Sequence, residues 1–279
     1  MSRHLCKYCI QIYMSDWTWQ EWQGTKYLTC SLLSDWKHGF FTRQFWPNLP
    51  DKLTHALEPQ AEVCRVKQVH GNTVLTGREM ISKVHPNPAE LAEDESPYPH
   101  ADGLHSDELN QALWVCSADC TPVLIGDRGT GHVAALHAGW RGTAARIVPA
   151  AIEKLIGQGS RIEDLNIAMG PAIAGSVYQV TEDVAQQMAD SLTESVPDAS
   201  LTALSALEEP PFLADQEEGR VKLDVRRVNA LQIEALGIPS NRIAIAPHCT
   251  FQDPEQFFSY RRDGLKKVQW SGIVSQGKP

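Results

Sequence analysis

The stretch ALWVCSADCTPVLIGDRGTGHVAALHAG, residues 112–139, contains three short apolar runs that are separated by polar turns. Apolar runs of roughly four to eight residues, bounded by turn-forming residues, are typical of buried strands. After Gly139 the apolar residues change to helical spacing. The stretch therefore predicts adjacent strands followed by a helix, which is the pattern of a mixed α/β protein.

The rest of the sequence continues this alternation of strands and helices. Helical spacing over residues 137–159 predicts a helix in which Pro149 occupies the first turn or causes a kink. Thr181 and Asp224 are candidate N-caps of two further helices. Apolar runs predict the other strands, at residues 27–45, 62–76, 166–173, 242–247 and 257–262.

We expect a single mixed α+β domain over residues 27–279, in which a mixed β-sheet is layered with helices. The sequence has no internal repeat and no linker long enough to divide it. Residues 1–26 are interpreted as a variable, Trp-rich N-terminal extension. This extension contains the pair Cys6 and Cys9, to which we assign no function because no second Cys pair follows that would complete a four-ligand site.

The composition limits the classes of function. The 279 residues are 42% hydrophobic and 21% charged, as in folded globular proteins. The net charge of −9 argues against binding to nucleic acid or an anionic membrane, because both depend on Lys and Arg. No apolar stretch reaches the roughly 18 residues that span a bilayer. We expect a cytoplasmic protein, a monomer or weak homodimer, whose seven cysteines are reduced.

Three turns at predicted strand ends carry side chains that bind transition metals. Cys120 follows one strand, His137 ends another, and His70 lies in the turn after CRVKQV. One Cys and two His leave the fourth position of a tetrahedral zinc site open, as in catalytic rather than structural sites. The spacing alone also fits a buried apolar thiol at Cys120, or a Cys nucleophile with a His base.

Seven motifs carry a resemblance to a known family: KQVHGNTV (67–74), ADGLHSD (101–107), CSADCTPVLIGD (116–127), ALHAGWRGTAARIV (135–148), MGPAIAGSVYQV (169–180), LDVRRVNALQIEALGI (223–238) and FFSYRRDG (257–264). In order and approximate spacing they resemble the YfiH family, also called the laccase-domain, DUF152 or peptidoglycan-editing-factor family. The resemblance implies a single YfiH-like catalytic domain with a zinc site formed by His70, Cys120 and His137. It also implies purine nucleoside phosphorylase activity, accompanied by adenosine deaminase and methylthioadenosine phosphorylase activities.

The word laccase implies an oxidase that uses copper. The spacing of the histidines does not favour this function. An oxygen-reducing copper cluster needs many His ligands, usually in closely spaced pairs. The ten His residues include no His-x-His pair. Copper can substitute for zinc at the same three ligands, since Cu(II) binds such donors more tightly. A copper polyphenol oxidase is therefore a less favoured interpretation.

Phosphorolysis requires inorganic phosphate as co-substrate, and three arginines are candidates to bind it. Arg141 lies in the glycine-rich turn HAGWRGT between a strand and a helix, where backbone N–H groups attract anions. Arg261 and Arg262 lie in SYRRDG, on a predicted strand, where at least one of them should point outward. The expected ligands are therefore a purine nucleoside and phosphate.

Proton transfer and base recognition need further polar side chains. No Glu lies beside the candidate ligands, so Asp119 or Asp102 would act as general acid and base, or would orient a ligand His. Each Asp is equally compatible with a turn cap. Gln68, two residues before His70, could hydrogen-bond a base or ribose, or could remain a strand-surface amide.

Three classes of function remain open. The resemblance favours a zinc-dependent purine nucleoside enzyme. A Cys–His hydrolase, with Cys120 as nucleophile and His137 or His70 as base, would act on an amide such as a cell-wall precursor. A non-catalytic sensor of a nucleoside or a metal is the third class.

Overall fold

Strands and helices alternate along the described chain. The computed structural model describes residues 16–92 and 95–277. The strands are β1 (Trp17–Trp22), β2 (Thr25–Cys30), β3 (His38–Phe41), β4 (Glu62–Arg65), β5 (Val74–Thr76), β6 (Gly103–His105), β7 (Gln111–Ser117), β8 (Thr121–Asp127), β9 (Val133–Ala138), β10 (Leu165–Met169), β11 (Gln179–Thr181), β12 (Phe212–Ala214), β13 (Arg220–Leu223), β14 (Ile243–Ile245) and β15 (Gln269–Val274). The helices are α1 (Pro50–Leu57), α2 (Gly77–Ser82), α3 (Trp140–Ala144), α4 (Ile147–Gly157), α5 (Glu182–Asp190), α6 (Leu201–Ser205), α7 (Val225–Ala235) and α8 (Tyr260–Asp263).

The described strands form two six-stranded sheets and one three-stranded sheet. The first sheet has the order β1-β2-β3-β15-β7-β4, and the second has the order β14-β10-β8-β9-β6-β5. Both are mixed, because the pairs β4–β7, β10–β14 and β5–β6 are parallel within otherwise antiparallel sheets. The third sheet, β11-β13-β12, is antiparallel. The mixed α+β class is confirmed, with two large sheets where the sequence indicated one.

The hydrophobic core lies between the two large sheets and on their outer faces. Leu113 and Val115 of β7 belong to the same buried cluster as Leu124 of β8 and Ala135 of β9. Every residue of β8 and β9 is buried, which explains their uninterrupted apolar sequences. Helices α4 and α7 cover the outer face of the second sheet, and α1 covers that of the first.

The helix predicted over residues 137–159 consists of two helices. Helix α3 ends at Ala144, and Arg146 adopts a φ of 59° directly before α4 begins. A residue in the left-handed region cannot continue a right-handed helix. Pro149 lies in the first turn of α4, one of its two expected positions, where its missing N–H breaks no hydrogen bond.

The strand predicted at residues 257–262 is wrong. Residues 260–263 form the short helix α8, because the Ser259 hydroxyl accepts a hydrogen bond from the Arg262 N–H at 3.2 Å and caps the first turn. At the other end of the chain, β1 pairs with β2, and the Trp17 ring lies 5.5 Å from the ring of Phe40. Cys6 and Cys9 lie outside the described residues.

The ends of the central strands position the candidate site. The turn between β7 and β8 carries Asp119 and Cys120, and β9 ends just after His137. Because β8 and β9 are paired, Thr121 stands opposite Ala138, so Cys120 and His137 come from adjacent strand ends. Within residues 16–92 and 95–277, no helix is long and apolar enough to cross a membrane.

Candidate metal and active site

Three donor side chains meet at the ends of β8 and β9, the two central strands of the second sheet. Cys120 and His137 come from the ends of β8 and β9, and His70 comes from the loop between β4 and β5. The Sγ of Cys120 and one ring nitrogen of each His all lie within 4.8 Å of one another. The two imidazole rings are 4.8 Å apart and nearly perpendicular. The structure thus brings together the three residues that the sequence indicated as metal ligands.

The donor cluster is accessible from one side. His70 is exposed and Cys120 half-buried, whereas His137 is only 3% exposed. On the inner side, a Cβ atom at Gly139 would lie 2.8 Å from the Cys120 sulfur and 3.4 Å from Cδ2 of His70. Only glycine therefore leaves room for the donors to converge.

Asp102 is fully buried and holds two of the three donors. Its Oδ1 accepts a hydrogen bond from Nδ1 of His137 at 2.9 Å, which leaves Nε2 of that ring free to bind a metal. Its carboxylate also accepts the backbone N–H groups of Val69, His70 and Gly71, at 3.1, 2.9 and 2.7 Å. These bonds hold His70 at a φ of 62°, in the left-handed region.

The hydrogen bonds around Asp102 keep its carboxylate ionised. Burial raises the pKa of Asp102, but the bonds from His137, Gly71 and Val69 outweigh burial, and the pKa lies below its usual value. A buried ionised carboxylate needs such partners, since an unpaired one would be costly. Asp102 thus contacts the donor residues and is closed to solvent.

Cys120 and His137 stabilise each other's charged forms. Burial raises the pKa of the Cys120 thiol, but the charge and hydrogen bonds of His137 and His70 lower it to about 6. Burial lowers the pKa of His137, but Cys120 and Asp102 raise it to about 9. Between these values the sulfur is a thiolate, the form that binds metals and attacks electrophiles.

This donor set fits a zinc ion that keeps one coordination position free. A thiolate and imidazoles are characteristic zinc ligands, and three protein ligands are typical of catalytic sites. The hydrogen bond from Asp102 to His137 is the contact that orients metal-binding His residues in many sites. Within the described residues one such donor group occurs, whereas an oxidase with several copper ions needs several.

Asp119 connects the donor turn to the C-terminal part of the chain. Its Oδ1 accepts from the Thr250 hydroxyl, and its Oδ2 accepts from the backbone N–H of Arg261, both at 2.7 Å. Its carbonyl accepts from the Ile173 N–H at 3.0 Å. These contacts hold Asp119 at a φ of 97°, an unusual conformation for a non-glycine residue. Both carboxylate oxygens are therefore engaged within the protein.

The adjacent arginines of α8 have different surroundings. The Arg262 guanidinium pairs with Asp263 and donates to the carbonyls of Thr250, Phe251 and Phe257 at 2.7 to 3.0 Å. Arg261 is exposed. Its guanidinium donates one hydrogen bond, to the Gln179 carbonyl, and forms no ion pair with a described residue. One arginine thus points outward, as expected, but on a helix instead of a strand.

Two exposed arginines lie over aromatic rings. The guanidinium of Arg141 lies 4.4 Å from the centre of the Trp140 ring, and that of Arg261 lies 4.7 Å from the centre of the Tyr178 ring. Neither is paired with a carboxylate among the described residues, so both guanidiniums remain available to an anion. Sequence reasoning missed Tyr178, which is 83 positions from Arg261 and can be found only from the fold.

The Gln68 side chain bonds to the backbone of β7. Its amide nitrogen donates to the Cys116 carbonyl at 2.7 Å, and its amide oxygen accepts from the Cys116 N–H at 2.8 Å. These two hydrogen bonds to the backbone of one residue resemble the pairing between neighbouring strands. Its side chain therefore connects the loop that carries His70 to β7.

The chain forms two stacked mixed sheets, and an open Cys–His–His cluster lies at the ends of central strands. These features define a mixed α+β protein with a candidate catalytic metal site. The family described as "Multi-copper polyphenol oxidoreductase laccase" matches residues 50–274. The chain belongs to this family, the YfiH or laccase-domain family.

Named relatives and a solved structure agree with this assignment. A protein of Synechocystis sp. named purine nucleoside phosphorylase slr1573 is 51% identical over 263 residues, which cover 93% of this chain and 97% of that protein. A protein of an unknown prokaryote named adenosine deaminase RL5 is 30% identical over 176 residues, covering 63% and 62%. The crystal structure of YlmD from Geobacillus stearothermophilus superposes with a TM-score of 0.73 at 26% identity, over 92% of this chain and 98% of that one.

Proposed function

We propose that the protein is a zinc-dependent purine nucleoside phosphorylase that acts on adenosine, inosine and methylthioadenosine, with an accompanying adenosine deaminase activity. The observation that carries this proposal is an open three-donor cluster beside two arginines that pair with no carboxylate in residues 16–92 and 95–277. The names of the relatives supply the substrate class. We further propose that the protein is cytoplasmic and a monomer or weak homodimer.

In this proposal His70, Cys120 and His137 hold the zinc ion, and Asp102 and Asp119 position them. Asp102 fixes the His137 ring and the His70 loop, while Asp119 fixes the turn that carries Cys120. When bound, zinc would supply Lewis acidity, which lowers the pKa of water toward neutral pH. Neither carboxylate serves as the proton carrier, because both are committed to hydrogen bonds within the protein.

Arg141 and Arg261 bind the phosphate co-substrate in this proposal. Phosphate attacks C1′ of the ribose, the glycosidic bond breaks, and the purine leaves with the bonding electrons and takes up a proton. Two guanidiniums stabilise the charge of the phosphate and orient it toward the sugar. Arg262 supports the fold around Thr250, and Gln68 supports the His70 loop.

The test combines metal analysis with a nucleoside assay. Protein purified without chelators is expected to carry about one zinc per chain, because one open three-ligand site is formed. Free base should appear from inosine and methylthioadenosine only when phosphate is present, together with ribose 1-phosphate or its methylthio derivative. Ammonia release from adenosine should not require phosphate. Base release that is independent of phosphate would contradict the proposal.

A Cys–His hydrolase is the second candidate, and the charge pair of Cys120 and His137 favours it. A thiol with a pKa near 6 beside an imidazolium is the arrangement of cysteine nucleophiles. Such an enzyme would cleave an amide, for example in a cell-wall precursor. The two candidates differ in the metal-loaded protein, where a coordinated Cys120 resists alkylation and a nucleophilic one does not.

A further inference from the structure

Tyr178 lies against the exposed Arg261, whose backbone contacts the turn that carries Cys120. Its backbone N–H donates to the Ala174 carbonyl at 3.1 Å, and its carbonyl accepts from the Leu223 N–H at 3.0 Å. Its half-buried ring packs against the cluster of apolar side chains around α5 and α7. The position of this side chain is therefore fixed before any ligand binds.

Contacts of α8 place the Tyr178 ring close to the metal ligands. The Arg261 guanidinium lies 4.7 Å from the ring centre, and the Arg261 N–H donates to Asp119, the residue before Cys120. Burial and the charge of Cys120 raise the pKa of the Tyr178 phenol to about 12, against the opposing charges of Arg261 and Arg141. Tyr178 thus contacts Arg261, and through Arg261 it is linked to the turn that carries Cys120.

The hydroxyl of Tyr178 has an unused hydrogen-bonding capacity. Among the described residues no group forms a hydrogen bond with this oxygen, yet it is not one of the buried, unsatisfied polar atoms. The oxygen therefore retains access to solvent. A hydroxyl in this position can donate to a ligand without losing a bond to the protein.

We propose that the Tyr178 hydroxyl donates a hydrogen bond to the phosphate that Arg141 and Arg261 bind, as a third phosphate-binding group. The inference rests on the proposed phosphorylase function. A neutral donor next to two guanidiniums adds direction to the binding of a tetrahedral anion, since both arginines lie on short helices and are themselves exposed. The nucleoside itself does not depend on this bond.

The test compares Tyr178→Phe with Tyr27→Phe. Tyr27 is also half-buried, but it stacks on Phe41 in the first sheet, away from the donors. The Tyr178→Phe enzyme should show a rise of about ten- to a hundred-fold in KM for phosphate, as expected for loss of a hydrogen bond to a charged group. KM for inosine and the phosphate-independent deamination of adenosine should stay unchanged, and Tyr27→Phe should leave all three unchanged.

Calorimetric titration with inorganic phosphate provides a second measurement, in which Tyr178→Phe should bind more weakly than the unaltered protein. An unchanged KM for phosphate overturns the inference. Equal losses in phosphorolysis and deamination also overturn it, because they indicate a structural role. If the unaltered protein shows no phosphate-dependent cleavage, the proposed function has failed, and this is evident before any variant is measured. Melting temperatures verify that each variant is folded.

Discussion

The donor side and the arginine side of the candidate site are built in different ways. On the donor side, fully buried Asp102 accepts four hydrogen bonds and fixes both the His137 ring and the His70 loop. On the arginine side, Arg141 and Arg261 lie on short helices. Their guanidiniums are exposed, and each lies over an aromatic ring. Buried hydrogen bonds hold the donor residues, and stacking on aromatic rings at the surface holds the guanidiniums.

This difference follows from what each side must bind. Metal ligands must be fixed to within about half an ångström, so the residues behind them need locked conformations and satisfied hydrogen bonds. A diffusing anion needs guanidiniums that are not already paired with carboxylates, and stacking on a ring orients a guanidinium without neutralising it. Changes on the donor side should therefore abolish metal binding, and changes on the arginine side should alter only the use of phosphate.

The largest expected effect is that of Cys120→Ser. A neutral hydroxyl replaces the thiolate, so we expect loss of the bound zinc. Turnover of nucleosides should fall by about a thousand-fold or more, because a Lewis acid contributes several kcal/mol to such reactions. Cys116→Ser is the matched control, since burial raises the pKa of that thiol to about 12 and it should leave metal content unchanged. Full metal content in Cys120→Ser would contradict the ligand assignment.

The second effect is that of Asp102→Asn. The new amide group would face N–H donors, so the His137 ring and the His70 loop lose part of their support. Metal affinity should fall by about ten- to a hundred-fold, and the free energy of unfolding by about 1–3 kcal/mol. Asp127 is equally buried but caps the turn at Gly129. Asp127→Asn should destabilise the protein without weakening metal binding, and equal metal loss in both variants would make Asp102 merely structural.

The same contrast explains what the sequence could predict. The continuous apolar runs of β7, β8 and β9 predict buried strands, and the position of Cys120 and His137 at strand ends brings them together because the strands pair. The roles of Asp102 and Asp119 depend on contacts with residues far along the chain, such as Thr250, which no local pattern contains. The strand predicted at residues 257–262 is wrong for a different reason: Phe257 and Phe258 form an apolar start typical of a strand, and the Ser259 cap then begins α8.

The third effect concerns the arginine side. Arg141→Ala should raise KM for phosphate by about tenfold or more, since one charge-assisted hydrogen bond is lost. Deamination of adenosine without phosphate should be unaffected. Arg262→Ala should behave differently and lower the melting temperature, because its guanidinium holds three backbone carbonyls. Equal losses in both reactions for Arg141→Ala would mean that both sides form one rigid unit.

The smallest expected effect is a pH dependence that distinguishes the donor side from an ordinary thiol. The pKa of Cys120 in the metal-free protein is lowered to about 6, so the thiolate is present above that pH and lost below it. In chelated protein, the rate of alkylation of Cys120 by iodoacetamide should rise about tenfold from pH 5 to pH 7 and then level off. Added zinc should slow the reaction at every pH, because the sulfur lone pairs are then engaged.

Mass spectrometry of the labelled peptides measures both rates, with Cys116 as the internal reference. Rapid labelling of Cys120 while the zinc content stays constant would instead favour the Cys–His hydrolase, and a rate that still rises steeply above pH 8 would show that His137 does not activate the thiol.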